Sequence, residues 1–269
     1  IMCNATTATI QRCKFIGLEI PCGPSGFDCY AAQGSGIAAT SDGGSSSITV
    51  GGSSTNKCEF IDCSKGVSCF FNVTLDAQFN EFLNSGYSNP NQSFGVFCMR
   101  SSGYNKTISN NIFEYMDFGI SLASCDQENI SIESNSFNNI SPPPTLANER
   151  AITLWSTHLN DGGDRLIKNN LVKKYERGIL VTNQTKRSGS TVAVDVTENS
   201  VYLDNPSHSD MWYGIRVQAG SDNSVTGNLI STTVTAVSGM EKTVYGISVE
   251  KSENNIISEN SIVNLGTGI

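Results

Sequence analysis

The chain has 269 residues, 38% hydrophobic and 16% charged, and its 25 acidic against 17 basic side chains leave a net charge of −8. Such a balance is globular and excludes disorder, while its sign excludes a nucleic-acid backbone or an anionic membrane surface as the main partner. No apolar run reaches the ~18 residues that span a bilayer, and the opening IMCNATTATI lacks the basic and apolar regions of a secretory leader.

Asparagine is frequent, 27 of 269, and with many Ser, Thr and Gly and no long helix-period segment it favours turns and β-structure. The first predicted element is Cys13-Lys14-Phe15. Its pattern, Asn or Cys, any residue, then a large apolar one, returns at Cys58, Asn80, Asn111, Asn135, Asn170, Asn199, Asn228 and Asn260. A second phrase, Gly or once Ala before Ile or Val, alternates with it at Gly36, Gly66, Gly95, Gly119, Ala151, Gly178, Gly214, Gly246 and Gly268. The shortest offsets, 8 and 14 residues, give a minimal repeat of 22, the length of one turn of a solenoid of strands.

Between the first two phrases, residues 16–35 form the longest insertion. There PCGPSGFDC places Cys22 and Cys29 at the two ends of a short loop, and a Cys22–Cys29 disulfide is expected in an oxidising, extracytoplasmic setting. Further along, Cys69 and Cys98 fall on the inward position that Leu122 and Val181 take later, and read as small buried hydrophobes. Gly-Ile-Ser-Val, Ala-Ile-Thr-Leu and Gly-Ile-Arg-Val alternate with period two, which excludes helical repeats. Strands of like phase then stack in parallel about 4.8 Å apart, so nine coils make a rod about 40 Å long. Inside it, Ile120, Ile152, Ile179, Ile215 and Ile247 form one file beside Leu122, Leu154, Val181, Val217 and Val249. The recurring Asn suits a sharp corner, since it tolerates left-handed backbone angles and its amide can bond the Asn of the coils above and below. The last phrase, Gly268-Ile269, opens a strand without continuation, and the expectation is one β-helix domain over 1–269 that is a segment of a longer polypeptide.

These phrases, GI-x-V followed by a stretch ending N-x-I, resemble the right-handed parallel β-helix repeat of pectate-lyase-like proteins, carbohydrate-binding proteins and sugar hydrolases. The resemblance covers about residues 9 to 269 and implies an all-β, right-handed parallel β-helix of about nine coils. It speaks to fold more than to function, because the repeat encodes the coil.

The insertions cluster on one side of the coil and are expected to form a ridge along the rod. Beside it runs the outward file Phe94, Phe118, Arg150, Arg177, Tyr213, Tyr245. Beyond it lie Phe97, Ser121, Thr153, Leu180, Arg216, Ser248, and then Phe70, Met99, Ala123, Trp155, Thr182, Gln218, Glu250. Outward Phe70, Phe97, Met99, Trp155 and Leu180 are too apolar for a solvated sheet and need a cover, from folded-back loops, a neighbouring subunit or a ligand. Phe97, Trp155, Arg177, Tyr213, Arg216 and Gln218 are the ligand-binding candidates, rings for the apolar faces of a sugar chain and polar groups for its hydroxyls or carboxylates.

Enzymes of the resembled family use clustered carboxylates, Ca²⁺, or a Lys or Arg base. DGGDRLIK supplies Asp161, Asp164, Arg165 and Lys168 in one coil as catalytic candidates, with Arg216 as another, although DGGD also reads as an ordinary turn. The DPHD phrase of alginate epimerases and the paired-Asp phrases of pectin hydrolases do not occur. No resident metal is expected, since His158 and His208 lie far from the cysteines; Ca²⁺ enters only with lyase chemistry. The leading expectation is an extracellular or cell- or virion-surface scaffold, an adhesin or tail fibre, whose lateral face meets a polysaccharide or glycoprotein surface. The alternatives are a polysaccharide lyase, epimerase or glycoside hydrolase, and a purely structural filament that self-associates through its aromatic face.

Overall fold

A computed structural model describes residues 1–17, 34–84, 93–100, 104–125, 129–139, 149–162, 164–186, 188–203, 211–232 and 243–263, without the side chains of 42–43, 157–162, 211 and 243. The expected Cys22–Cys29 disulfide and most of the 16–35 insertion lie outside the described residues, as do most of the other insertions. Lys14–Ile16 and Ser35–Gly51 are the strands on either side of that first insertion.

Every described element is a strand, and every strand pairing is parallel to a strand of a neighbouring coil. A 16-stranded sheet covers two faces of the coil and a nine-stranded sheet covers the third. This is the parallel β-helix read from the repeat, and the nine strands of the third sheet are the nine Asn or Cys phrases. The larger sheet folds within single strands. In Lys65–Gln78 the first residues pair with Phe94–Met99 and the last with Lys106–Ser109, and Phe71 between them takes a left-handed φ of 63°.

The inner files are as expected. Ile120, Ile152, Ile179, Ile215 and Ile247 stand in register, as do Cys69, Cys98, Leu122, Leu154, Val181, Val217 and Val249. Cys69 and Cys98 are fully buried. On the third face Phe15, Phe60, Phe82, Phe113 and Phe137 stack with ring centroids 4.7–4.8 Å apart, the coil spacing itself. Opposite this stack run the glycines of the second phrase. A methyl group on Gly95 or Gly119 would collide with the ring of Phe113 or Phe137 and with the backbone of the next coil. The one coil with alanine here, Ala151, is followed in the third sheet by Val172, where the Phe stack has ended.

The Asn corner is a hydrogen-bonded ladder. Asn135 donates its Nδ2 to Asn170 Oδ1 at 3.0 Å and to Ile108 O at 2.9 Å, and its own Oδ1 accepts from the backbone N and the Nδ2 of Asn111, both at 3.0 Å. The same linkage runs through Asn80, Asn111, Asn170, Asn199, Asn228 and Asn260. The left-handed residue, however, is the one before: Arg12, Phe79, Asn110, Ser134, Asn169, Glu198, Gly227 and Glu259 have φ of 53–65°. The Asn itself holds an inward side chain that bonds along the rod axis, so the backbone reversal falls on its neighbour.

Candidate functional site

The outward files of the first face stand in the register inferred from sequence. Phe94, Phe118, Arg150, Arg177, Tyr213 and Tyr245 align across consecutive coils, as do Phe97, Ser121, Thr153, Leu180, Arg216 and Ser248. Trp155, Thr182, Gln218 and Glu250 form the third file. The N-terminal part is an aromatic cluster: Phe94 stacks on Phe118 at 4.8 Å and Phe97 meets Phe94 and Phe70 edge-on at 5.1 and 6.0 Å. These rings are not an open surface. Phe97 is 3% exposed, Leu180 7% and Phe70 9%, all within one chain, and Tyr213 is 1% exposed. Trp155, Arg177, Arg216 and Gln218 of the candidate ligand set are half-buried.

The C-terminal part of the same face is cationic. The guanidiniums of Arg177 and Arg216 sit 5.9 and 5.7 Å from the Tyr213 ring centroid, a cation–π arrangement. Arg216 Nη2 is 2.6 Å from Glu250 Oε2, and this hydrogen bond, with lesser help from Ser248, holds the Glu250 carboxyl below its ordinary range. Burial pushes the Tyr213 hydroxyl up, against the pull of Arg150, Arg177 and Arg216.

The second face carries an open groove of about 410 Å³, across the strands Lys106–Ser109, Ile130–Glu133, Arg165–Lys168 and Asp195–Thr197. Its walls are files of polar groups from successive coils. Asn105, Asn129 and Asp164 form the one just before the strands, where Asp164 N donates to Asn129 Oδ1 at 3.2 Å. Thr107, Ser131, Leu166 and Asp195 form the next, and Val192 adds a second apolar patch. Asp195 Oδ1 is buried without a hydrogen-bond partner among the described residues.

Of the catalytic candidates, Asp164 and Arg165 reach this groove. Arg165 is 3% exposed and donates from Nη2 to Cys125 O at 3.0 Å, which makes it part of the wall. Lys168 lies farther along its strand and pairs with Glu198 at 3.4 Å. Arg216 is on the other face. Asp161 pairs through its backbone with Thr185 near the end of the strand Arg150–Gly162, and its side chain lies outside the described ones. Asp161 and Gly162 end one strand, and Asp164 stands just before the next. Asp195, Asn105 and Asn129 were not singled out from sequence, because only the coil register brings them together.

A third cluster is closed. Asp117, Glu149 and Glu176 precede the Phe118, Arg150 and Arg177 positions in consecutive coils. Asp117 Oδ2 accepts from Ser93 N at 2.7 Å and Oγ at 2.9 Å, and Glu149 Oε2 accepts from Asn139 Nδ2 at 2.6 Å. Burial, then the charges of Asp117 and Glu176, pushes Glu149 up to about 9; burial also raises Asp117. Tyr175, wholly buried beside them, has no hydrogen-bond partner for its hydroxyl.

The family model described as NosD, periplasmic copper-binding protein, matches residues 146–269. No curated protein and no solved structure matches the chain. Copper favours thiolate, thioether and imidazole donors. The matched segment has no cysteine, and the side chains of His158, His208, Met211 and Met240 lie outside the described ones. Among the described residues there is no group of three or more His, Cys, Asp or Glu able to hold a metal ion.

Proposed function

We propose that the chain is a β-helical scaffold of the cell envelope that binds a glycan strand in the groove of its second face. One observation carries this reading: the groove repeats amide, hydroxyl and carboxylate groups along the coils, Asn105, Asn129 and Asp164 in three successive coils, with Thr107 and Ser131 beside the first two and Asp195 one coil beyond Leu166. A linear polymer of hydroxylated rings laid along the rod meets similar partners at each coil. Leu166 and Val192 offer the apolar contact a sugar ring needs, and the volume lies in the range of ligand sites. An extracytoplasmic setting agrees with the periplasmic family matched by the C-terminal coils. Adhesion at a cell or virion surface is a narrower version of the same reading.

Binding to a glycan panel, followed by titration of the best ligand, tests it. Asn129→Ala combined with Asp195→Ala is expected to weaken binding at least about tenfold, since two hydrogen-bonding side chains are lost, one of them charged. Absence of binding to any glycan, or undiminished binding by the double variant, would contradict the reading. A second reading, glycoside hydrolysis, is favoured by the meeting of Asp164 and Asp195 in one groove. Release of reducing ends, lost in Asp164→Asn and in Asp195→Asn, would select it over binding alone.

A further inference from the structure

The cationic end of the first face is unexplained by a glycan groove on the second. Arg150 and Arg177 stand directly opposite one another in adjacent strands, an arrangement that costs stability for like charges. Arg216, one coil beyond Arg177 and three residues along the strand from Tyr213, joins Arg177 at the Tyr213 ring as the second guanidinium there. The three are close enough that Arg177 and Arg216 both act on Arg150, whose guanidinium is lowered from its ordinary range by burial first and by those two charges after it. Among the described residues the carboxylate on this side, Glu250, is taken by Arg216. Glu149, the sequence neighbour of Arg150, is buried in the closed corner and bonded to Asn139. Arg150 has no ion-pair partner among the described residues, and its Nε is buried without a hydrogen-bond partner.

We propose that Arg150, Arg177 and Arg216 form a binding site for an oxyanion, the carboxylate, sulfate or phosphate group of a ligand, with the guanidinium fork of Arg150 as its principal donor. A planar guanidinium pairs with two oxygens of such a group at once, and an anion shared by the stacked arginines relieves their mutual repulsion. Tyr213 supplies the wall that holds two of the three in place. The site is on a different face from the groove and does not depend on the glycan reading.

Calorimetric titration of the whole chain with inorganic sulfate and phosphate, at ionic strength matched with chloride, tests the site. Saturable binding is expected in the wild type, weakened about tenfold or more in Arg150→Gln, with Arg150→Lys in between because it keeps the charge and loses the fork. Lys173→Gln, an exposed change on the third face, is the control and should bind as the wild type does. A sulfated oligosaccharide binding more tightly than free sulfate assigns the group to a polymer, and equal affinity assigns the free ion. Lack of saturable binding, or equal affinity in wild type and both Arg150 variants with circular dichroism unchanged, would overturn the site. Free sulfate needs no glycan groove, so this result and that of the glycan titration fail separately.

Discussion

At the scale of single residues, the protein spends its buried polar groups in two different ways. The Asn ladder is fully satisfied: each amide has a partner in the coil above and a carbonyl in the coil below, so burial costs little and register is fixed. The corner of Asp117, Glu149 and Glu176 is the costlier case, three carboxyl groups one coil apart in a closed interior. Glu149 holds its proton up to a pH of about 9 against an ordinary value of 4.5. An acid whose pKa is raised by folding binds its proton more tightly when folded, so its contribution to stability is full below about pH 4.5 and is lost as pH rises towards 9. The raised Asp117 acts in the same direction. Thermal denaturation between pH 5 and 9.5 is therefore expected to show the melting temperature falling with pH. Glu149→Gln should flatten that fall and be the more stable protein at pH 9; an identical slope in both would contradict this account of the corner. These acids carry a sequence signal that goes unread when the repeat is aligned on its Gly: one further residue towards the N-terminus shows the pair NERAI and YERGI. The left-handed positions carry almost none, since Arg, Phe, Asn, Ser, Glu and Gly all occupy the same corner. There the coil geometry imposes the angle whatever the side chain prefers.

At the scale of elements, each coil is set by one close approach. The Phe stack on the third sheet leaves no room for a Cβ on the glycine strand opposite, which is why the second phrase begins with Gly through the Phe-bearing coils. Gly95→Ala is expected to cost roughly 1–3 kcal/mol by overpacking, read from chemical denaturation. Ala151→Gly, in a coil whose third strand carries Val172, should cost no more than about 1 kcal/mol, a backbone-entropy effect. Equal costs at the two positions would mean that the ring contact does not decide the residue. This relation was legible only in part. The strand, its phase and its alternating face follow from period two, whereas the reason for glycine at Gly95 and Gly119 lies in a ring that comes eighteen residues later, in another sheet.

At the scale of the whole molecule, the repeat explains why the fold was readable and the site was not. A solenoid repeats its folding instructions nine times, so errors in reading one coil are corrected by the next. A binding site is written once. The outward files of the first face stand in the register read from the sequence; Phe97, expected there to need a cover, is buried, and so is Tyr213, because exposure depends on what lies over a sheet and not on which way a strand points. The groove residues Asn105, Asn129 and Asp195 are ordinary polar residues in sequence and become a wall only when four coils are stacked. The C-terminal coils, residues 146–269, match a family model described as NosD, periplasmic copper-binding protein, and among the described residues no group of three or more His, Cys, Asp or Glu could hold a metal ion.

The central claim, a glycan strand laid along the stacked coils, is tested most directly by affinity against oligosaccharide length for the best ligand of the panel. Because the groove crosses four coils about 4.8 Å apart, affinity should climb with each added sugar and level off once the oligomer spans roughly 15 Å. Affinity that is the same for a monosaccharide as for every longer oligomer would contradict it.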